Sequence, residues 1–141
     1  MDAESKRRIR VVAAVIQHHD KYLITQRRPT AVLPLLWEFP GGRVEPDETD
    51  HQALAREVKF RLTVDLKMGG LISFVSHNYE RYIVDLHLYQ CSISEGKPSK
   101  ANVNDFAWVG SEQFEDYWFT PADEASVAAL LGLGENGAPD D

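Results

Sequence analysis

A continuous apolar run, IRVVAAVIQ at residues 9–17, leads through the polar stretch HHDK into YLITQRR at 22–28, where apolar and polar positions alternate. A short apolar run beside period-two alternation, with a polar turn between them, predicts a hairpin of two short strands. After the proline-punctuated PTAVLPLLWEFPGG the period changes. Ala53, Leu54, Val58 and Leu62 recur at helical spacing, and Thr49 with Gln52 has the form of a capping box ahead of them, so a helix is predicted over 49–62. LISFVSH (71–77) and RYIVDLHLYQCSI (81–93) return to strand patterns on either side of an HNYE turn, and DFAWV (105–109) adds a short strand. A last helix is predicted from Pro121 through Ala129 to Leu131. Strands and helices mix without regular βαβ alternation, which predicts an α/β fold with a mixed sheet and helices on its faces. The organisation along the chain is a flexible basic N-terminal arm (1–8), a single domain (9–132) and a disordered acidic tail (133–141).

Composition narrows the functional classes. The chain has 141 residues, 43% of them hydrophobic, enough for one core in one domain. A formal net charge of −7 argues against a surface that tracks a nucleic-acid backbone, while a free nucleotide needs only local positive charge. Cys91 is the single cysteine, so no intrachain disulfide or cysteine-rich zinc site forms. Its strand-like flanks make it a packed thiol rather than a nucleophile. No signal-peptide core and no run of 18 apolar residues occurs, which predicts a cytoplasmic location and no membrane contact.

The chemistry concentrates around Pro40-Gly41-Gly42. The two glycines let the backbone turn and approach a ligand without a Cβ in the way. Five residues separate Gly42 from Glu48, and seven separate Glu48 from Arg56, Glu57 and the aliphatic Val58. This spacing resembles the Nudix family, whose box reads G-x5-E-x7-R-E-U-x-E-E-x-G-U with U aliphatic. WEFPGGRVEP, YLITQRR and FTPADE resemble its MutT-like branch, which hydrolyses nucleoside triphosphates. The resemblance spans about residues 9–131 and implies a Nudix-type α/β/α sandwich around a mixed β-sheet. It also implies magnesium or manganese held by box carboxylates against a nucleotide diphosphate, where the metal neutralises phosphate and activates water. Glu57 matches the family's metal-binding glutamate, Glu48 and Arg56 match the pair that ties loop to helix, and Glu45 is a candidate surrogate ligand.

Here the chain departs from the family. The paired glutamates are replaced by Phe60 and Arg61, and the box glycine by Thr63. Positions 57, 60 and 61 lie on one helix face, so a face that carries three negative charges in the family carries none in sum here. Glu57 and Arg61, four residues apart, also suit an ordinary surface ion pair. Ahead of DFAWV only Asp105 offers a further carboxylate.

On the substrate side, the resemblance implies that Arg27 faces the nucleotide and that Phe39 lines the base pocket. Arginine suits phosphate or a purine edge because its planar fork donates two parallel bonds. Asp123 stands where some guanine-selective members carry Asn. An ionised carboxylate only accepts, which suits a base that presents amino groups; a cap on the last helix is the other reading of Asp123. Two functions follow. One is a weakened nucleotide pyrophosphohydrolase using magnesium or manganese with Glu45, Glu48, Glu57 and Asp105. The other is a non-catalytic module, without a metal, that binds a nucleotide or regulates a protein partner on a Nudix scaffold.

Overall fold

The computed structural model describes residues 6–131. The elements run β1 (Arg7–His18), β2 (Lys21–Gln26), β3 (Trp37–Glu38), β4 (Gly41–Arg43), α1 (Asp50–Leu62), β5 (Asp65–Asn78), β6 (Tyr82–Glu95), β7 (Asp105–Gly110) and α2 (Pro121–Leu130), with a 3-10 helix at Ser111–Asp116 before α2. β1 is the hub of a mixed sheet. It pairs parallel with β6 from Arg7↔Tyr82 to Ile16↔Cys91, antiparallel with β4 from Val11 to Ala13, and antiparallel with β2 only at Gln17↔Tyr22 and His18↔Lys21. β5 flanks β6, while β3 and β7 flank β2.

The predicted hairpin forms, with His19 and Asp20 both at positive φ, 53° and 66°, the requirement of a tight two-residue turn. Its first strand is not short, however: β1 is 12 residues long. The apolar run is unbroken because both faces of β1 are covered. Side chains alternate between the faces of a strand, so Val12, Ala14 and Ile16 pack with Ala53, Leu54, Val58 and Leu62 of α1, and Ala13 and Val15 pack with Phe39 and Ala122 in the cluster that receives Val127 and Leu130 of α2. The result is an α/β/α sandwich. Cys91 is buried in the α1-side cluster, and burial pushes its thiol up to about 11.

α1 starts as predicted: Thr49 accepts from the Gln52 amide and the Gln52 side chain accepts from the Thr49 amide. It ends on Thr63 at φ 61°, a left-handed position that is costly for a β-branched residue. β5 begins at Asp65 rather than at 71, because the strand continues through Gly69-Gly70 by register shifts in its pairing with β6. The basic arm is shorter than expected. Arg7 and Arg8 already lie in β1, where Arg8 makes a two-pronged pair with Asp85, and Lys6 donates to Asn78 Oδ1 and to the Tyr79 carbonyl. Residues 1–5 and the predicted acidic tail at 133–141 fall outside the described residues. Among the described residues no helix is long and apolar enough to cross a membrane.

Candidate functional site

A cleft of about 470 Å³ opens on the α2 side of β1. Ile9, Val11, Val84 and Leu86 give it an aliphatic lining, to which Tyr79 and Tyr82 add aromatic surface. Its charged lining is Arg27, Glu38, Arg43, Glu45, Glu57, Arg61 and Asp123. The β4 glycines make this geometry. A Cβ on Gly41 would stand 1.9 Å from the Val12 carbonyl oxygen, and one on Gly42 would stand 2.3 Å from Glu57 Cδ. Only glycine at 42 lets the Glu57 carboxyl rest against the loop.

Guanidinium groups claim Glu48, Glu57 and Glu38. Arg56 donates to Glu48 through Nε (2.6 Å) and Nη2 (2.9 Å), to the Arg43 carbonyl through Nη2 (2.9 Å), and to Glu57 Oε2 through Nη1 (2.9 Å). Arg61 Nε donates to the other Glu57 oxygen, Oε1, at 3.2 Å. Each Glu57 oxygen therefore accepts one guanidinium bond. The Arg56 bonds and the amide of Glu45 hold the Glu48 carboxyl down to about 2. Across the cleft, Arg27 Nη1 reaches both oxygens of Glu38 at 3.2 and 3.4 Å, while its Nε donates to the Val32 carbonyl. Burial raises the Glu38 carboxyl, opposed by the charges of Arg27 and Arg61. Asp123 is also buried; desolvation and the neighbouring Glu38 push it up to about 7, against the hydrogen bonds from Thr120 and Phe39.

The residues singled out in the sequence sort into two groups. Arg27, Phe39, Gly41, Gly42, Glu45, Glu57, Arg61 and Asp123 all line the cleft. Glu48 and Arg56 stand behind it and tie the loop after β4 to α1. Phe60 lies outside the cleft, 59% exposed, and Asn102 donates to its carbonyl. Asp105 lies outside the cleft and pairs with Lys100. Phe39 is 2% exposed and packs its ring on Phe114 and Phe119, so it is a core residue with one edge in the cleft. Thr120, not Asp123, caps α2; the Asp123 carboxylate instead accepts from the Phe39 amide and the Thr120 hydroxyl. Sequence reasoning missed Glu38. It lies in a strand of two residues, too short for any periodicity to show which way its side chain turns.

The donor set does not fit a hard dication. Such an ion takes clustered oxygen ligands, yet Glu57 and Glu38 are engaged by arginines, and among the described residues no group of three His, Cys, Asp or Glu side chains could hold a metal.

The chain matches the NUDIX domain family over residues 11–129. It belongs to the Nudix family. Within it, the MutT-like branch is indicated by similarity to the CTP pyrophosphohydrolase of Escherichia coli K12, 32% identical over 89% of this chain and 93% of that protein. The solution structure of the E. coli ORF135 protein superposes with a TM-score of 0.78 at 31% identity, covering 98% of both chains. A MutT protein from Methanosarcina mazei Go1 shares the fold, with a TM-score of 0.78 at 21% identity over 90% of this chain and 94% of that one. This Nudix chain thus carries the family's scaffold, with Phe60 and Arg61 on α1.

Proposed function

We propose that this MutT-like Nudix protein binds a nucleoside di- or triphosphate-type ligand in the β1 cleft and hydrolyses it weakly or not at all. The observation that carries the reading is Glu57, whose two oxygens are bonded to Arg56 and Arg61. Each oxygen keeps a second lone pair, but a carboxylate whose charge is balanced by two guanidinium groups attracts a proton or a magnesium or manganese ion weakly. The phosphates sit towards Arg27 and Arg61, while the base lies against the aliphatic and tyrosine lining beside Phe39 and Asp123. Each Asp123 oxygen already accepts one bond and keeps a second lone pair. An acceptor there suits an exocyclic amino group, and the similarity to a protein named CTP pyrophosphohydrolase makes cytosine the first base to test.

The experiment is a thermal-shift and calorimetric panel of common nucleotides, run beside phosphate and pyrophosphate release assays with magnesium and with manganese. Binding with turnover far below about 1 per second, the low end for ordinary enzymes, is expected. Turnover at or above that rate would show a working centre, and no binding to any nucleotide would remove the reading.

A further inference from the structure

We infer that Arg61 takes the place of the divalent metal, so that the cleft receives its polyphosphate ligand metal-free and magnesium competes with the protein for that ligand. The inference deepens the nucleotide-binding reading above and rests on it. Arg61 lines the cleft with its side chain 24% exposed. One nitrogen, Nε, is spent on Glu57. No protein acceptor among the described residues takes its terminal nitrogens, which leaves four N–H bonds of a planar fork for a ligand. That fork matches two oxygens of a phosphate, and its charge is permanent.

The same contacts disfavour a metal. In a cleft built for magnesium, free carboxylates draw the cation in, and the cation then draws the phosphates. Here each carboxylate that faces the ligand from α1 or β3 has a guanidinium of its own: Glu57 has Arg56 and Arg61, and Glu38 has Arg27. A magnesium–nucleotide complex brings a hydrated dication towards Arg61 and finds the Glu57 and Glu38 carboxylates already paired with guanidinium groups, which leaves Glu45 on the β4 loop as the exposed carboxylate of the lining. Metal-free nucleotide brings only negative charge, which Arg61 and Arg27 receive directly. Glu57 becomes a positioning residue: it fixes the Arg61 guanidinium by Nε and, as an anion next to the bound phosphate, weakens the ligand somewhat. Glu57→Gln therefore has opposite consequences under the two schemes. It removes a repelling charge if Arg61 binds phosphate, and it removes a ligand if Glu57 binds metal.

The test is isothermal titration calorimetry of CTP and of inorganic pyrophosphate into the full chain, first with EDTA and then with excess magnesium chloride, with thermal melts to confirm folding. Pyrophosphate keeps the outcome independent of the base. The wild type is expected to bind with EDTA at least as tightly as with magnesium. Arg61→Met should weaken binding about tenfold to a hundredfold, the range of a charge-assisted contact. Arg61→Lys, which keeps charge but loses the fork, should fall between and carries the test if the Met variant does not fold. Glu57→Gln should bind as tightly as wild type or tighter with EDTA, and Arg61→Glu, which puts a second carboxylate beside Glu57 in the cleft, should make any remaining binding require magnesium. Wild-type binding seen only with magnesium, loss of magnesium-supported binding in Glu57→Gln, or unchanged affinity in Arg61→Met would each overturn the role of Arg61 while nucleotide binding stands. A folded wild type that binds neither probe in either buffer would instead overturn the nucleotide-binding reading itself.

Discussion

The main-chain amide of Phe39 donates to Asp123 Oδ1 at 3.0 Å, joining residues 84 apart in the chain and fastening the first turn of α2 to the segment that leads into β4. Asp123 sits in this bond with its proton affinity raised from the usual 3.8 to about 7, chiefly by burial. A carboxyl that is more easily protonated folded than unfolded adds stability that is complete below about pH 4 and is lost as pH rises through about 7. The wild-type melting temperature should therefore fall between about pH 5 and about pH 8 by more than that of Asp123→Asn, which keeps an acceptor for the Phe39 amide and has no proton to lose. Thermal melts of both proteins at both pH values check this, and parallel pH profiles would count against it.

Glu48 has the opposite sign. Its carboxyl is held at about 2, below the usual 4.5, first by the hydrogen bonds from Arg56 and then by the Glu45 amide. The tether it forms is complete above about pH 4.5 and is released as pH falls towards 2. At neutral pH, Glu48→Gln should speed amide hydrogen exchange at Glu45 and its neighbours while leaving β1 and β6 unchanged. Exchange that rises evenly across the chain would mean that Glu48 supports the whole fold instead of this loop.

Phe39→Ala does not isolate the ligand site, although Phe39 lines the cleft. The ring is 2% exposed and packed on Phe114 and Phe119, so its removal should cost about 3–5 kcal/mol of stability, as for other buried aromatics. Urea denaturation measures this directly. A loss under about 1 kcal/mol would show that the aromatic cluster closes around the gap.

Thr63 ends α1 at φ 61°, where a β-branched side chain is crowded and glycine is not. Thr63→Gly should raise stability by about 1 kcal/mol even though it gives up the hydroxyl contact with Ser99. Chemical denaturation of the two proteins settles the sign; a destabilised glycine variant would place more value on the Ser99 contact than on the backbone.

Long elements with one period were legible in the sequence. α1 announced itself through Thr49, Gln52 and four apolar residues at helical spacing, and β1 through an apolar run covered on both faces. Elements set by tertiary pairing were not. β3 and β4 have two and three residues, too few for any pattern, and exist because β2 and β1 offer backbone partners. The cleft was legible where chemistry is carried by residue type and spacing, as with Gly41, Gly42, Glu57 and Arg61. Glu38 was not, because its importance comes from burial and from facing Arg27 across two strands, neither of which is written in its neighbours. The Arg61–Glu57 pair could be anticipated from i, i+4 spacing, but not that Arg56 would take the other Glu57 oxygen.

The division of β1 between two cores sets how this chain tolerates change in length. Its even-numbered residues face α1 and its odd-numbered residues face the α2 side. One amino acid inserted or deleted between Val12 and Val15 would send each later side chain to the opposite helix and displace Gly41 and Gly42 from their partners Ala13 and Val12. Surface loops such as 96–101 can lengthen without that penalty, whereas this strand admits substitutions of matched size but no change of count.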